Sequence, residues 1–332
     1  MYISVELGFL FLTQVVLSTF QPPKNFESKS NKHLLLLAGT TKNGLCPHAE
    51  VIDLKNPHNE CKMKSFSSTK VFGATGGLLN GDLPIVCGGI QGKSNCRSST
   101  DDATMTSLTE ERSFSASVIL ENDSELWITG GYNDDMPSDT IEIVFYILDS
   151  LFSIAGPKLP IPLFGHCIVK ITKDSFMVIG GSTYSTGSLN NDKTWIFNLA
   201  YGNWTRGPNL NVPRRSHACG VLHGAIIVTG GFEPYPPYAL KSTEILDLDH
   251  PNHWIFGINL PQPLYSHSLI VSQESLIIAG GVADEIRNEN LYELKCNDEE
   301  CFWVKMVQKL KEGRCNMVAL MVPDQFTSCV IN

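Results

Sequence analysis

Basic residues are scarce in this sequence. Its 332 residues carry 25 Lys and Arg against 34 Asp and Glu, a formal charge of −9, and no basic cluster interrupts that balance. A nucleic-acid backbone would find no complementary field here, so no nucleic-acid partner is expected. Long apolar runs are missing too. After Leu17 no apolar stretch is longer than six residues, and the recurring ones end at glycine, too short to cross a bilayer, so no membrane span is expected and the mature chain should be soluble. No Gly-x-Ser-x-Gly elbow and no phosphate loop occurs. The two close cysteine pairs that a structural zinc site uses are also absent, and no metal or cofactor is expected. What is plentiful is apolar residues, 42% of the chain against 18% charged, enough for a sizeable core and against disorder.

The first twenty residues, MYISVELGFLFLTQVVLSTF, hold an apolar run from Leu7 to Leu17 followed by small residues. Its length suits a secretory signal (residues 1–18) ahead of a short N-terminal segment, 19–32. Ten cysteines and the sequons at Asn122 and Asn203 fit the same oxidising compartment. A secreted, extracellular glycoprotein with disulfide bonds is the expectation.

One phrase recurs: LLLLAGT, PIVCGGI, LWITGGY, FMVIGGS, AIIVTGG and LIIAGGV, with Gly39, Gly88, Gly130, Gly180, Gly230 and Gly280 read as the first glycines. Their separations of 49, 42, 50, 50 and 50 residues fall in the range of propeller repeats rather than of shorter helical solenoid repeats. Within a unit, SHACGVLHG-AIIVTGG, TEILDL and NHWIFGINL read as four short strands with turns between them. A glycine pair closing the second strand suits a tight turn against a close neighbour. About twenty-two residues later come Trp204, Trp254 and Trp303, with Phe152 in the same place, large side chains for a wedge between blades.

These residues resemble the kelch-repeat family, over about 290 residues, and more particularly its secreted stand-alone invertebrate chains. The resemblance implies an all-β fold, a six-bladed β-propeller of four-stranded antiparallel blades. Five or seven blades are the alternatives. The first unit lacks the strand that opens every other unit, and RCNMVALMVPD, residues 314–324, supplies it. Blade one is then 33–66 plus 314–324, within a propeller spanning 33–324. The others are 69–108, 112–158, 162–210, 213–262 and 263–312, and 325–332 is a tail. Such a closure leaves no sheet edge open around the ring.

Local disulfides are expected for Cys87–Cys96 and Cys296–Cys301, and a third joining Cys46 to Cys61. Cys167, Cys219, Cys315 and Cys329 have no assigned partner. His166, His217 and His267 share one position in three units and read as structural residues. Two residues before them, Phe164, Arg215 and Tyr265 fall in a column that we extend to Arg112, Arg314 and Phe72. Arginines mixed with aromatics suit recognition of a carboxylate or sulfate. The competing reading is that each arginine pairs with an acidic residue of the adjacent blade.

The expected function is a non-enzymatic interaction module whose loops contact a protein or glycan partner, with an anionic group at the contact. The alternatives are an extracellular propeller enzyme, copper-radical oxidase-like or sialidase-like, and a structural matrix component. No catalytic residue is assigned.

Overall fold

The computed structural model describes residues 33–330 apart from 47, 64–70, 91–93, 99–103, 121–122, 134–135, 184–189, 235–236, 273–274 and 298–299. The signal, the N-terminal segment and Asn122 lie outside the described residues. Described residues form strands throughout, with one short 3-10 turn at Asp324–Phe326, and no helix there is long and apolar enough to cross a membrane.

Among the described residues, six antiparallel sheets of four or five strands carry the fold. Sheet II runs Thr75–Leu79, Leu83–Cys87, Asn95–Ser98 and Met105–Ser107; sheet III runs Ala116–Leu120, Glu125–Thr129, Ile141–Ile147 and Ser150–Ala155. Sheet IV runs Cys167–Thr172, Ser175–Ile179, Thr194–Asn198 and Asn203–Arg206; sheet V runs Ala218–Leu222, Ala225–Thr229, Thr243–Asp247 and Ile255–Phe256. Sheet VI runs Tyr265–Val271, Leu276–Ala283, Asn290–Cys296 and Cys301–Lys309. Sheet I joins the two ends of the chain. Val318–Val322 pairs with His33–Leu37, which pairs with Glu50–Asp53 and then Glu60–Met63. A fifth strand, Thr327–Val330, lies where the sequence suggested only a tail and pairs with Glu60–Met63.

The apolar runs of the second strands are buried on both faces, as in AIIVT at 225–229, because each sheet is covered on both sides by a neighbour. The core clusters accordingly straddle neighbouring sheets. Trp127 of sheet III packs with Phe176 and Phe197 of sheet IV. Leu79 and Ile85 of sheet II meet Leu126 and Ile128 of sheet III. Leu34 and Leu36 of sheet I meet Ile277 and Ala279 of sheet VI, and Leu35 and Leu37 meet Val86 of sheet II.

One hydrogen-bond cycle fixes the order. Phe114 N donates to Gly73 O, Gly165 N to Phe114 O, Ser216 N to Gly165 O, Ser266 N to Ser216 O, Asn316 N to Ser266 O, and Gly73 N back to Asn316 O, at 2.7–3.3 Å. Each residue precedes the first strand of a different sheet or lies at its start, and all six have positive φ, from 51° at Asn316 to 68° at Gly73. Four of the six are not glycine, and a left-handed non-glycine residue carries a conformational penalty. The cycle supplies the hydrogen bonds that hold it.

The same geometry explains the glycine pairs. The first glycine of each has φ between 56° and 65°, and a Cβ there would run into the next sheet. At Gly230 it would meet the Leu264 carbonyl and the His267 ring. Sheet I corrects the sequence reading: Gly39 occupies the second position, against Met317 and the Cys315 carbonyl, and Ala38 takes the first at φ 59°. Gly181 and Gly281 make the corresponding second-position contacts with His166 and His267.

The wedge residues differ among themselves. Trp204 and Trp254 donate from Nε1 to the carbonyls of Lys158 and Pro208, each 46 residues earlier, at the end of the preceding sheet. Phe152 is 47% exposed and stacks on Phe145 of its own sheet instead. Trp254→Phe keeps an aromatic ring but loses the donor to Pro208 and the packing of the indole's second ring. It should cost about 1 kcal/mol in chemical denaturation, and the matching change at exposed Phe152, to Leu, less.

Candidate functional site

The cycle above establishes which residues of the first strands are equivalent. Counting from it, the positions two residues back are Val71, Arg112, Leu163, Arg214, Leu264 and Arg314. The positions one back are Phe72, Ser113, Phe164, Arg215, Tyr265 and Cys315. The column proposed from sequence therefore mixes two positions. Arg112 and Arg314 belong with Arg214, whereas Phe164, Arg215, Tyr265 and Phe72 belong together. By the same count the histidine position is shared by Ser115 and Met317.

Arg112, Arg214 and Arg314 are buried and committed within the fold. Arg112 Nη2 lies 3.2 Å from Glu142 Oε2, Arg214 Nη2 2.8 Å from Glu244 Oε1 and Arg314 Nη2 2.8 Å from Glu50 Oε2. Each glutamate sits on the third strand of the arginine's own sheet, not on the adjacent one. The arginines also donate to backbone, Arg214 Nη1 to Gly230 O and Ser242 O, and Arg112 Nη1 to Gly130 O and Thr140 O. The glutamates complete the node by accepting from the segments that enter the sheets: Thr109 N to Glu142, Asn211 N and Val212 N to Glu244, and Lys311 N to Glu50. Burial raises the Glu50 carboxyl despite the Lys311 and Arg314 contacts, and lowers the Arg112 and Arg214 guanidiniums against the pull of their glutamates. Of the column read from sequence, Arg112 and Arg314 are thus not available to a ligand.

The remaining position builds a collar of rings. Phe72 meets Phe114 edge-on at 5.9 Å, and Phe114 meets Tyr132 at 6.3 Å. Tyr132 lies 4.2 Å from Phe164. The Arg215 guanidinium sits over Phe164 at 5.5 Å and over Phe232 at 5.4 Å, and Phe232 lies 5.3 Å from Tyr265. The arc touches five sheets, II to VI. In sheet I the matching place is held by Cys315, buried, with its thiol 3.3 Å from Thr40 Oγ1. The Tyr265 phenol is pushed above its ordinary value by burial, with Cys315 and Glu285 nearby adding to the effect and Arg287 opposing it.

Arg215 is half-buried, and among the described residues its guanidinium makes no hydrogen bond or ion pair. With its faces against two rings, its N–H edge is left for an acceptor. That arrangement suits a planar anion such as a carboxylate. Phe114, Tyr132 and Phe232 were missed from sequence, although Tyr132 and Phe232 each directly follow a glycine pair. Arg214 and the three glutamates were missed too, although Arg112–Glu142 and Arg214–Glu244 share one spacing of thirty residues.

Inside the collar, a cavity of about 120 Å³ is lined by Ser115, His166, His217, His267 and Met317 among others. His166 Nε2 is 2.7 Å from Thr129 Oγ1 and His267 Nε2 2.8 Å from Thr229 Oγ1. Burial drives all three imidazoles far below their ordinary value, His166 to about 3 and His267 to about 4.

The disulfides are Cys87–Cys96 and Cys296–Cys301, as expected from sequence, with Cys167–Cys219 and Cys61–Cys329 added. Cys46 does not pair with Cys61. Cys329 lies directly opposite Cys61 across the fifth strand of sheet I, while Cys46 is buried in a separate small sheet-side turn and stays reduced with Cys315. Cys167–Cys219 ties the first strands of sheets IV and V. Asn203 is exposed at the start of a strand.

Antiparallel four-stranded sheets following one another around a backbone hydrogen-bond cycle define an all-β repeat architecture. Comparison with known proteins points the same way. No protein-family model matches the chain. It is 30% identical to Kelch-like protein 41b of Danio rerio over 135 residues, 40% of this chain and 21% of that protein. It is 29% identical to Spermatocyte protein spe-26 of Caenorhabditis elegans over 110 residues, 33% of this chain and 18% of that protein. The chain thus spans about a fifth of the length of these curated relatives. The similarity supports the kelch-repeat family.

Proposed function

We propose that this protein is a six-bladed kelch propeller that acts as a protein-binding module, with the aromatic collar around Arg215 as its contact surface. Each of the six sheets supplies one blade, and pairing of Val318–Val322 with His33–Leu37 closes the ring. The observation that carries the binding assignment is the Arg215 guanidinium, held between Phe164 and Phe232 without an acidic partner among the described residues. Aromatic and arginine side chains together are the usual anchors of protein interfaces. The partner presents a carboxylate to Arg215, with apolar groups against the partly buried Phe72, Phe232 and Tyr265. Similarity to kelch-like chains supports an interaction role over a catalytic one. The signal-like N-terminus, the disulfides and exposed Asn203 favour an extracellular, glycosylated protein.

Arg215→Ala separates a binding role from a structural one. A charge-assisted bond is worth about 1.5–3 kcal/mol, so affinity for a captured partner should fall at least about tenfold. The melting temperature should hardly change, since no buried acid is stranded. A clear fall in melting temperature with unaltered affinity would rule out the collar as the binding surface.

A further inference from the structure

A second cluster lies in sheet I, remote in sequence from the collar. His33 opens the first of its N-terminal strands, Asp53 closes the next, Cys61 lies on the third and Cys329 on the last strand of the chain. One ligand atom from each lies within 4.8 Å of the others. Three of the four residues are buried and Cys329 is half-buried.

The details resemble a metal shell more than an ordinary disulfide neighbourhood. His33 Nε2 points at the sulfurs, 3.2 Å from Cys329 Sγ and 4.0 Å from Asp53 Oδ2. Its Nδ1 faces Asp324 Oδ1 and Thr327 Oγ1, each at 3.2 Å. A carboxylate behind the second ring nitrogen is the usual support for a metal-bound imidazole, because it fixes the tautomer that leaves Nε2 free. Asp53 is 6% exposed. Its carboxylate accepts from Lys55 N, Asn56 N, Asn56 Nδ2 and Asn59 Nδ2, which keep it anionic. Its one ion pair among the described residues is the long contact to His33.

We propose that with Cys61 and Cys329 reduced, His33 Nε2, Asp53 Oδ2 and the two thiolates form a tetrahedral zinc site, so that one cluster joins the chain ends by a disulfide or by a metal. A dithiol reductant supplies the two electrons and two protons that open the S–S bond, and is itself oxidised to a disulfide. Zinc then displaces both thiol protons to solvent. Tetrahedral coordination at zinc sets sulfurs about 3.8 Å apart, a separation reached by cysteine side-chain rotation across paired strands. Two thiolates, one carboxylate and a neutral imidazole suit zinc or cobalt. Sequence spacing hides the set, since its ligands come from both ends of the chain.

The test uses the full chain, reduced by a phosphine and freed of metal, titrated with Co²⁺. One equivalent should bind with tetrahedral ligand-field absorption and a thiolate-to-cobalt charge-transfer band, and zinc should displace it. The oxidised chain should bind none. Asp53→Asn, which keeps oxygen acceptors for the Lys55 and Asn56 amides, should weaken binding at least tenfold. His33→Gln and Cys329→Ser should abolish the bands, whereas Cys296→Ser should leave them. Reduced protein that stays folded yet shows no tetrahedral cobalt spectrum would overturn the proposal. Bands that survive in both Asp53→Asn and His33→Gln would do the same.

Discussion

Glu244→Gln is expected to destabilise the protein by about 3–5 kcal/mol, because it strands the Arg214 guanidinium in the interior without its counter-charge. Both side chains are fully buried in the pair. Arg214→Leu should cost a similar amount by leaving Glu244 charged and buried. The other sheets suggest the rescue. Sheets IV and VI fill the same two positions with apolar pairs, Leu163 with Trp195 and Leu264 with Tyr292, all buried. The double variant Arg214→Leu with Glu244→Tyr copies sheet VI. It should recover more than half of the single-variant loss, since a packed apolar pair replaces a buried ion pair at little or no cost. Asn211, which loses an acceptor, is exposed and turns to water, and Val212, whose amide also loses one, is half-buried and accounts for the part not recovered. Denaturant titrations of the three variants decide the matter. Singles that unfold like the parent would mean that water reaches the pair.

The alternation of ionic and apolar pairs shows what sequence did and did not carry. Strand identity was legible because apolar runs ending in glycine need no tertiary information. The terminal strand Val318–Val322 was legible for a related reason, as unit one was visibly one strand short. The Arg column was not, because it depends on single-residue register. Arg112-Ser113-Phe114 and Arg214-Arg215-Ser216 align correctly only when Phe114 and Ser216 are known to share left-handed backbone near 50°. Sequence marks such a position by glycine, and here only Gly73 and Gly165 did so. Arg112-Ser113 and Arg215-Ser216 look equivalent by their serines, which sets Arg112 beside Arg215 and hides Arg214. Ala38 misled in the same way, holding a left-handed φ where every other unit has glycine. Cys329 escaped because its strand lies beyond the last repeat, where periodicity has nothing to say.

Acid should weaken the fold steeply through the three central histidines. In the folded chain His166 stays neutral down to about pH 3 and His267 to about pH 4, with His217 likewise held far below its ordinary value. Unfolded histidine titrates near pH 6.5. Between these values the unfolded chain binds more protons, so stability rises with pH in that window. The contribution is fully present above about pH 6.5 and is lost as pH falls toward the folded values. Between pH 7 and pH 5 the loss is about 2 kcal/mol each for His166 and His267, or roughly 4 kcal/mol for the two, with His217 acting in the same direction, a large part of a typical domain's stability. Met317 holds the same position in sheet I and packs on Gly280 as His267 packs on Gly230, so His267→Met supplies a non-titrating side chain that the site accepts. Thr229 keeps an acceptor in the Ala218 carbonyl after the exchange. Chemical denaturation at pH 7 and pH 5 should show the variant losing about 2 kcal/mol less than the parent over that interval. Equal losses would mean that the folded cavity already lets His267 take a proton near its ordinary pH, and His267 would then have no part in acid sensitivity.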